Sequence, residues 1–235
     1  MKLSRLIKLT GKAAQTYDWR RLAPGNWRWP LIVYPFRAIL HPVTTFQEIK
    51  YEGKGSPVLG LLIFLLLFLS RVFSYLETGF PFNYRRLEQM NLWVEFMSGA
   101  MPALLWCVTN WAICTLMDGE GKFSEIWTCT AYSFFPVVLA AFFNAAVSNV
   151  LIADEGVFLS VLEGGALLLT LLMLFISSMI VHQYTFKKTV ISMLLTVCGI
   201  AAVIFLLILA LSMFQQLGTF LSTVFKEIFQ RVRGG

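Results

Sequence analysis

Five long apolar runs constrain this chain more than any other feature of its sequence. They cover residues 57–77, 93–117, 126–151, 157–181 and 189–214. A helix needs about 20 apolar residues to cross a hydrocarbon core roughly 30 Å thick, so each run is long enough to span a bilayer. The runs are continuous and do not alternate with a period of two, which argues against transmembrane β-strands. We therefore predict an all-α integral membrane protein with five transmembrane helices.

The composition excludes a soluble domain. Hydrophobic residues make up 57% of the 235 residues and charged residues 14%, whereas a soluble domain has about 45–50% and about 25%. Such a domain could not bury all of its apolar side chains. The four cysteines lie inside the apolar runs, so we predict buried thiols rather than disulfides or zinc ligands. They are Cys107, Cys114, Cys129 and Cys198.

The segment before the first run predicts amphipathic helices at a membrane surface. Residues 1–16 place apolar side chains at helical spacing among lysines and arginines, a pattern typical of an interfacial helix. Residues 17–35 mix Trp, Pro and Arg and predict an irregular interfacial segment. Residues 36–51 predict a second interfacial helix, broken at Pro42. We therefore treat residues 1–56 as one cytoplasmic, basic, interfacial segment.

The rest of the chain divides into a helical bundle and a tail. The bundle covers residues 57–217, and residues 218–235 predict one more amphipathic helix. The net charge of +6 comes largely from basic residues beside the apolar runs, which favours lipid headgroups over nucleic acid as the partner. The candidate headgroup contacts are Lys2, Arg5, Lys8, Lys12, Arg20, Arg21 and Arg28.

The distribution of Lys and Arg predicts the orientation. The first 56 residues hold 10 of them, and with the connections after the second and fourth runs that side holds 13, against five on the other side. The positive-inside rule then places the N-terminus in the cytoplasm and the C-terminus outside a cell membrane. The basic tail is the discordant element, because this orientation places its Lys and Arg residues outside. If the fifth run did not span the membrane, the tail would be cytoplasmic.

The sequence lacks a reaction signature. Its two histidines, His41 and His182, have neither HExxH spacing nor a neighbouring Cys or Asp cluster. The Gly-x-Gly at 119–121 is explained by a tight turn. We therefore expect no catalytic residue, no metal site, no cofactor and no enzymatic activity.

Polar residues inside the runs are the candidate site. Arg71 and Glu163 each lie roughly 10 Å below the outer surface, where a lone charge costs several kcal/mol. We predict that they pair, with Glu95 as the competing partner. The other polar side chains of this outer half are Asn144, Ser148 and Asn149. They indicate either a hydrogen-bonded lock between helices or a substrate path or docking groove.

A second polar set is predicted on the cytoplasmic side. It consists of Asn110, Asp118, Tyr132 and His182. We interpret His182 as a hydrogen-bonded residue at a helix end rather than a proton relay, because no intramembrane carboxylate lies at its depth.

Two segments carry a resemblance to a known family. Residues 118–136 read DGEGKFSEIWTCTAYSFFP, a Gly-x-Gly-x-Phe turn followed by a helix with Ala131-Tyr132 and Pro136. Residues 41–56 read HPVTTFQEIKYEGKGS. Over roughly residues 37–217 the chain resembles the Yip domain family, named for Ypt/Rab-interacting proteins. The family's five spans, cytoplasmic N-terminus and outward C-terminus agree with the predicted topology.

The resemblance implies a binding function. Eukaryotic members are Golgi and endoplasmic-reticulum proteins that bind Rab-type GTPases and carry an Asp-Leu-Tyr-Gly-Pro motif, which does not occur in these 235 residues. The resemblance therefore does not carry GTPase binding over to this chain. The sequence is more similar to bacterial members, which in Gram-positive bacteria are often encoded beside carbohydrate importers of the ABC class.

Three hypotheses follow. The first is a non-enzymatic scaffold or accessory subunit of another integral membrane complex, with the subunits of a sugar importer as its suspected partner. The second is a small transporter or channel with a polar site in its outer half. The third is a protein of membrane trafficking or membrane shaping.

Overall fold

The computed structural model describes residues 30–83 and 87–233, and within them the secondary structure is entirely helical. The predicted helix at 1–16 and the seven basic headgroup candidates lie outside the described residues. Seven α-helices are present in the described part, with short 3-10 turns at Leu87–Gln89 and Ala153–Glu155. The helices are α1 Pro30–Leu40, α2 Pro42–Glu52, α3 Pro57–Glu77, α4 Leu92–Leu116, α5 Phe123–Val147, α6 Gly156–His182 and α7 Phe186–Arg233.

Five of these helices, α3 to α7, are long and apolar enough to cross a membrane. They coincide with the five predicted runs, so the all-α membrane architecture is confirmed. Local sequence fixes where two of them begin. The Ser56 side chain accepts a hydrogen bond from Leu59 N ahead of Pro57, and the Asn91 side chain accepts one from Trp93 N. Both are favourable helix starts, because the cap supplies an acceptor for an otherwise unbonded amide.

Helix α5 is the centre of the bundle. Of its most apolar stretch 61% is buried, against 6% for α7. It packs against α3 and α6, while α7 packs mainly against α4. Tyr132 of α5, Ile63 of α3 and Met173 of α6 are almost fully buried in the core. Polar groups on α5 are therefore placed to connect several helices.

Helices α1 and α2 pack onto this bundle and share its core. Ala38, Phe46 and Ile49 are buried together with Ile126 of α5. The chain breaks at His41, ahead of Pro42, as predicted. The irregular segment predicted over 17–35 is wrong in its last part, because residues 30–35 already belong to helix α1, which begins at Pro30. The segment from residue 30 to 52 is thus built into the domain and is not an independent arm.

Two further predictions differ from the structure. The residues after 217 do not form a separate helix, because α7 runs without a break to Arg233. Neither a proline nor a pair of glycines interrupts the sequence there, so the helix of the fifth run continues. Three of the cysteines are buried as predicted, but Cys198 is exposed on α7.

Glu48 joins α1 to α2. Its carboxylate accepts a hydrogen bond from Tyr34 Oη at 2.9 Å and pairs with the Arg37 guanidinium at 2.7 Å. Lys54 Nζ lies 3.4 Å from the same carboxylate. The hydrogen bond from Tyr34 and the bonds and charge of Arg37 lower the pKa of Glu48 from its ordinary value of 4.5. The carboxylate is thus held in its charged form.

The lowered pKa of Glu48 predicts how the stability of the protein depends on acidic pH. Glu48 contributes stability above its unfolded pKa, and this contribution is lost as the pH falls through the lower folded pKa. We expect Glu48→Gln to lower the melting temperature by roughly 2 °C near neutral pH. The difference between the two proteins should disappear well below pH 4.5. Thermal unfolding measured as a function of pH gives this difference in melting temperature. Glu52→Gln is the control, because Glu52 lies at the more exposed end of α2, and it should leave the melting temperature unchanged. A difference that grows on acidification would contradict the prediction.

Candidate functional site

The polar side chains of the outer half do not form one cluster. Arg71 of α3 lies with its Nε 3.8 Å from Glu95 Oε2 of α4. The Glu95 side chain is only 6% exposed, whereas Glu163 is exposed on α6. The predicted Arg71–Glu163 pair is therefore wrong, and the competing residue Glu95 is the partner of Arg71. This ion pair connects α3 to α4.

Ser148 and Asn149 fasten the end of α5 to the end of α3. Gly79 N donates to Ser148 Oγ at 2.8 Å, and Asn149 Nδ2 donates to Glu77 O at 2.8 Å. A β-carbon at Gly79 would lie 2.3 Å from Ser148 O, so only glycine permits this approach. These contacts satisfy backbone groups that a helix end leaves unbonded. They form a lock between two helices.

Asn144 connects α5 to α6 and lines a cavity. Its Nδ2 donates to Leu159 O at 3.0 Å. Its side chain also borders a cavity of about 300 Å³ between the two helices. Asn144 is 6% exposed, and its Oδ1 is buried without a hydrogen-bond partner. In having an unbonded buried acceptor, Asn144 differs from Ser148 and Asn149. The Ser148 hydroxyl and the Asn149 amide nitrogen are both hydrogen-bonded to other protein groups.

Glu163 lies on an outward-facing stripe of α6. Residues at helical spacing, namely Ser160, Glu163, Gly164, Leu167 and Leu171, are all exposed along one face. A β-carbon added at Gly164 would meet no atom within 4 Å. We call this face the Glu163 stripe. It combines a carboxylate at membrane depth with small residues that allow another helix to approach closely.

On the opposite side of the bundle, Asn110 and His182 are brought together. His182 Nε2 lies 3.0 Å from Asn110 Oδ1, and Asn110 Nδ2 donates to Thr196 Oγ1 at 3.3 Å. Because the Asn110 amide nitrogen is a donor, its oxygen accepts from His182, which places the imidazole proton on Nε2. The three residues connect α4, α6 and α7. They hold His182 as a hydrogen-bonded residue at the end of α6.

The glycines of the α4–α5 connection lie directly against His182. A β-carbon at Gly119 would lie 2.7 Å from His182 Nδ1, and one at Gly121 would lie 2.7 Å from His182 Cε1. The tight turn predicted from Gly-x-Gly is therefore an incomplete explanation, since both glycines also allow the backbone to cover the imidazole. Tyr184 stacks on the imidazole of His182, with ring centroids 5.4 Å apart. Burial raises the pKa of Tyr184.

Asp118 and Tyr132 do not join this group. Asp118 is exposed and has a φ of 56°, in the turn that ends α4. Tyr132 is fully buried in the core between α5 and its neighbours. The four residues predicted on this side therefore divide into one bonded pair, one turn residue and one core residue.

Lys50 is a connecting residue that the sequence did not reveal. Its Nζ lies 2.9 Å from Glu125 Oε2 and 3.0 Å from Glu120 O. It fastens α2 to the start of α5 and to the α4–α5 connection. The two charges are 75 residues apart in the chain, so no local spacing indicates the pair.

Within the ranges 30–83 and 87–233, no three His, Cys, Asp or Glu side chains come together as a metal site. Most described Ser and Thr side chains of the spans donate to a carbonyl of their own helix, as Ser133 does to Cys129 O, while the Arg71–Glu95, Ser148, Asn149 and Asn110–His182 contacts connect helices. Among the polar residues predicted for the outer half, Glu163 is exposed on α6 and takes no part in these contacts between helices.

Comparison with known protein families matches residues 36–222 to the family described as Yip1 domain. This range begins in α1 and ends in α7, so it includes α2, the first four candidate spans and most of the fifth. No curated protein matches the sequence. No solved structure matches it either.

Proposed function

Because the chain belongs to the Yip1 domain family, we propose that it is a non-enzymatic scaffold or accessory subunit of another integral membrane complex. The partner we propose is a carbohydrate importer of the ABC class, on the basis of the resemblance to bacterial members of the family. The excess of Lys and Arg in the first 56 residues supports a cytoplasmic N-terminus and an outward C-terminus in a cell membrane.

The single observation that carries the proposal is the Glu163 stripe. Glu163 lies seven residues into α6, about 10 Å along the helix from Gly156. A carboxylate exposed at this depth is unfavourable in lipid, and a partner helix that presents a hydrogen-bond donor or a positive charge would stabilise it. Gly164 and Ser160 allow that helix to approach the backbone closely. The stripe thus fits a transmembrane helix with Arg, Lys, Asn or Gln facing Glu163.

The remaining polar residues support a scaffold. The Arg71–Glu95 pair, the Ser148 and Asn149 contacts and the Asn110–His182 pair each join helices to one another. They fix the relative positions of the bundle helices and so present α6 in one orientation. A scaffold needs this rigidity, because a preorganised surface loses less conformational freedom when it binds.

Two adjacent glycines provide a matched test. Gly164 belongs to the stripe, while Gly165 lies about 100° further around the helix, and a β-carbon at either would meet no atom within 4 Å. A tagged chain is solubilised gently from its native membrane, and copurified importer subunits are quantified. We expect Gly164→Leu to reduce their amount about fivefold or more. Gly165→Leu should leave it unchanged.

Cross-linking identifies the partner segment. A photoreactive residue at Leu167, on the stripe, should capture an importer helix with a basic or amide side chain near the depth of Glu163. Glu163→Leu should abolish the cross-link, and Glu163→Gln should retain part of it, because glutamine still hydrogen-bonds. The proposal fails if the protein purifies alone. It also fails if the two glycine variants behave alike.

A further inference from the structure

Helix α7 continues well past the point where it leaves the lipid. Gln215 lies 29 residues after Phe186, the first residue of α7, and this distance corresponds to about 43 Å of helix. An upright helix of that length crosses a bilayer with both headgroup layers, which is about 40–45 Å thick. The residues from 215 onward therefore lie in water.

The sequence of α7 changes at the same position. We assign heptad positions a to g from Leu207 onward, so that positions b, c and f lie opposite the line of a and d positions. In the first heptad, positions b and c are Ile208 and Leu209, as contact with lipid requires. In the next two heptads the described residues at b, c and f are all polar, and they are Gln215, Gln216, Thr219, Ser222, Thr223 and Lys226. This side of the helix thus becomes polar where the helix enters water.

The line of a and d positions stays apolar across this boundary. We call it the α7 seam, and its residues are Leu207, Ala210, Phe214, Leu217, Leu221 and Val224. In water, Phe220 at position g and Phe225 at position e widen it. Leu217 is 50% exposed and Leu221 is 52% exposed. Apolar side chains along one face of a helix in water favour burial against another surface.

The helical bundle does not cover the α7 seam. Helix α7 meets α4 near its start, where Thr196 accepts a hydrogen bond from Asn110 and Gly199 lies against Thr109. Within the described part of α7, none of residues 200–226 is buried. The surface that covers the seam therefore comes from outside this chain.

We propose that the α7 seam pairs in parallel with the seam of a second copy of this chain, as a short coiled coil that extends out of the membrane. The seam residues recur every 3.5 residues on average over three heptads, which is the period of helices that wrap around each other. A second copy in the same membrane carries the same residues at the same height and in the same direction. The two seams therefore meet in register about a two-fold axis.

Two further observations favour a second copy. Both copies are anchored in one membrane, so part of the translational and rotational freedom that association costs is already lost. A membrane surface could cover the seam only if α7 bent near residue 215, whereas the helix runs without a break to Arg233. The pairing uses a different helix from the Glu163 stripe, so it does not rest on the proposed function.

Cysteine cross-linking of the full chain in its native membrane tests the pairing. The parent protein carries Cys198→Ser, because Cys198 is exposed on α7. Leu217→Cys places a thiol at position d, and Gln216→Cys places one at position c on the polar side. Identical d residues face each other in a parallel pair, close enough for a disulfide after small adjustments. We expect oxidation to give at least about tenfold more covalent dimer for Leu217→Cys than for Gln216→Cys.

The periodicity of cross-linking distinguishes pairing from random collision. Val224→Cys, at the next d position, should behave like Leu217→Cys, and Thr223→Cys should behave like Gln216→Cys. Equal yields at all four positions would overturn the proposal. It would also be overturned by a monomer whose residues 217 and 224 are shielded by lipid, since the seam would then lie on the membrane surface.

A charge in the seam provides the second arm. Leu221→Asp places a carboxylate at position a, and Ser222→Asp places the same group on the polar side of α7. Two unpaired carboxylates facing each other in the pair are strongly unfavourable, so Leu221→Asp should weaken dimerisation at least about tenfold. Ser222→Asp should leave it unchanged. Light scattering of the full chain over a range of concentrations in detergent measures the dimer, and circular dichroism establishes that each variant is folded. Equal dimerisation of the two variants would overturn the proposal.

Discussion

Replacing Gly79 by alanine should lower the melting temperature by roughly 6–12 °C. The new β-carbon would lie 2.3 Å from Ser148 O, a backbone atom that cannot move without displacing the end of α5. The shift would also weaken the hydrogen bond from Gly79 N to Ser148 Oγ. Overpacking of this kind costs about 1–3 kcal/mol, and the lost bond adds to it. A change of 1 kcal/mol corresponds to about 2–4 °C in a chain of this size.

Thermal unfolding in detergent, followed by circular dichroism, measures this effect. Gly218→Ala is the matched control, because a β-carbon at Gly218 would meet no atom within 4 Å on the exposed part of α7. Alanine also favours a helix over glycine by about 1 kcal/mol, so the control should be neutral or slightly stabilising. Equal losses in both variants would show that the contact between the ends of α3 and α5 does not stabilise the fold.

Phe46→Ala should detach α2 from the bundle. Phe46 is fully buried in the common core, and removing a buried phenyl ring costs about 3–5 kcal/mol because a cavity remains. Much of the loss should be local, since α2 contributes few other large buried side chains besides Ile49. We expect amide hydrogens of residues 42–52 to exchange at least about 100-fold faster, the equivalent of roughly 3 kcal/mol.

Hydrogen exchange with mass spectrometry resolves this segment from the spans. Val43→Ala is the control on the same helix, because Val43 is 45% exposed and its removal leaves no cavity. Exchange in α3 and α5 should change far less than exchange in α2. If residues 42–52 remained protected in Phe46→Ala, the segment would be held mainly by the Lys50–Glu125 ion pair.

Depth could be predicted from the sequence, but helix rotation could not. The run at 57–77 has the bounds of α3, because length and hydropathy determine where a helix enters and leaves lipid. The same reasoning placed Arg71 and Glu163 at similar depths. Which of them meet depends on the face that each helix turns inward, and α6 turns Leu159 and Leu162 toward the cavity and Glu163 outward. An apolar run has no amphipathic pattern that fixes this rotation.

Contacts between residues far apart in the chain also could not be predicted from the sequence. The pairing of Lys50 with Glu125 depends on how α2 docks on α5, which no spacing in the sequence records. Gly119 and Gly121 read as turn residues, but their nearest neighbour is His182, more than 60 residues away. The cavity beside Asn144 needs two helices to exist at all. Asn144 was nevertheless selected from the sequence, because an amide inside an apolar run must find a partner.

The uninterrupted length of α7 has a mechanical consequence. Its 48 residues give a rod about 72 Å long, while a bilayer with both headgroup layers is about 40–45 Å thick. An upright rod would therefore carry about two fifths of its length through the aqueous phase, with its tip roughly 30 Å from the lipid. Any protein that touched this tip would be held at that fixed height, so α7 sets a stand-off distance between the membrane and whatever it meets there.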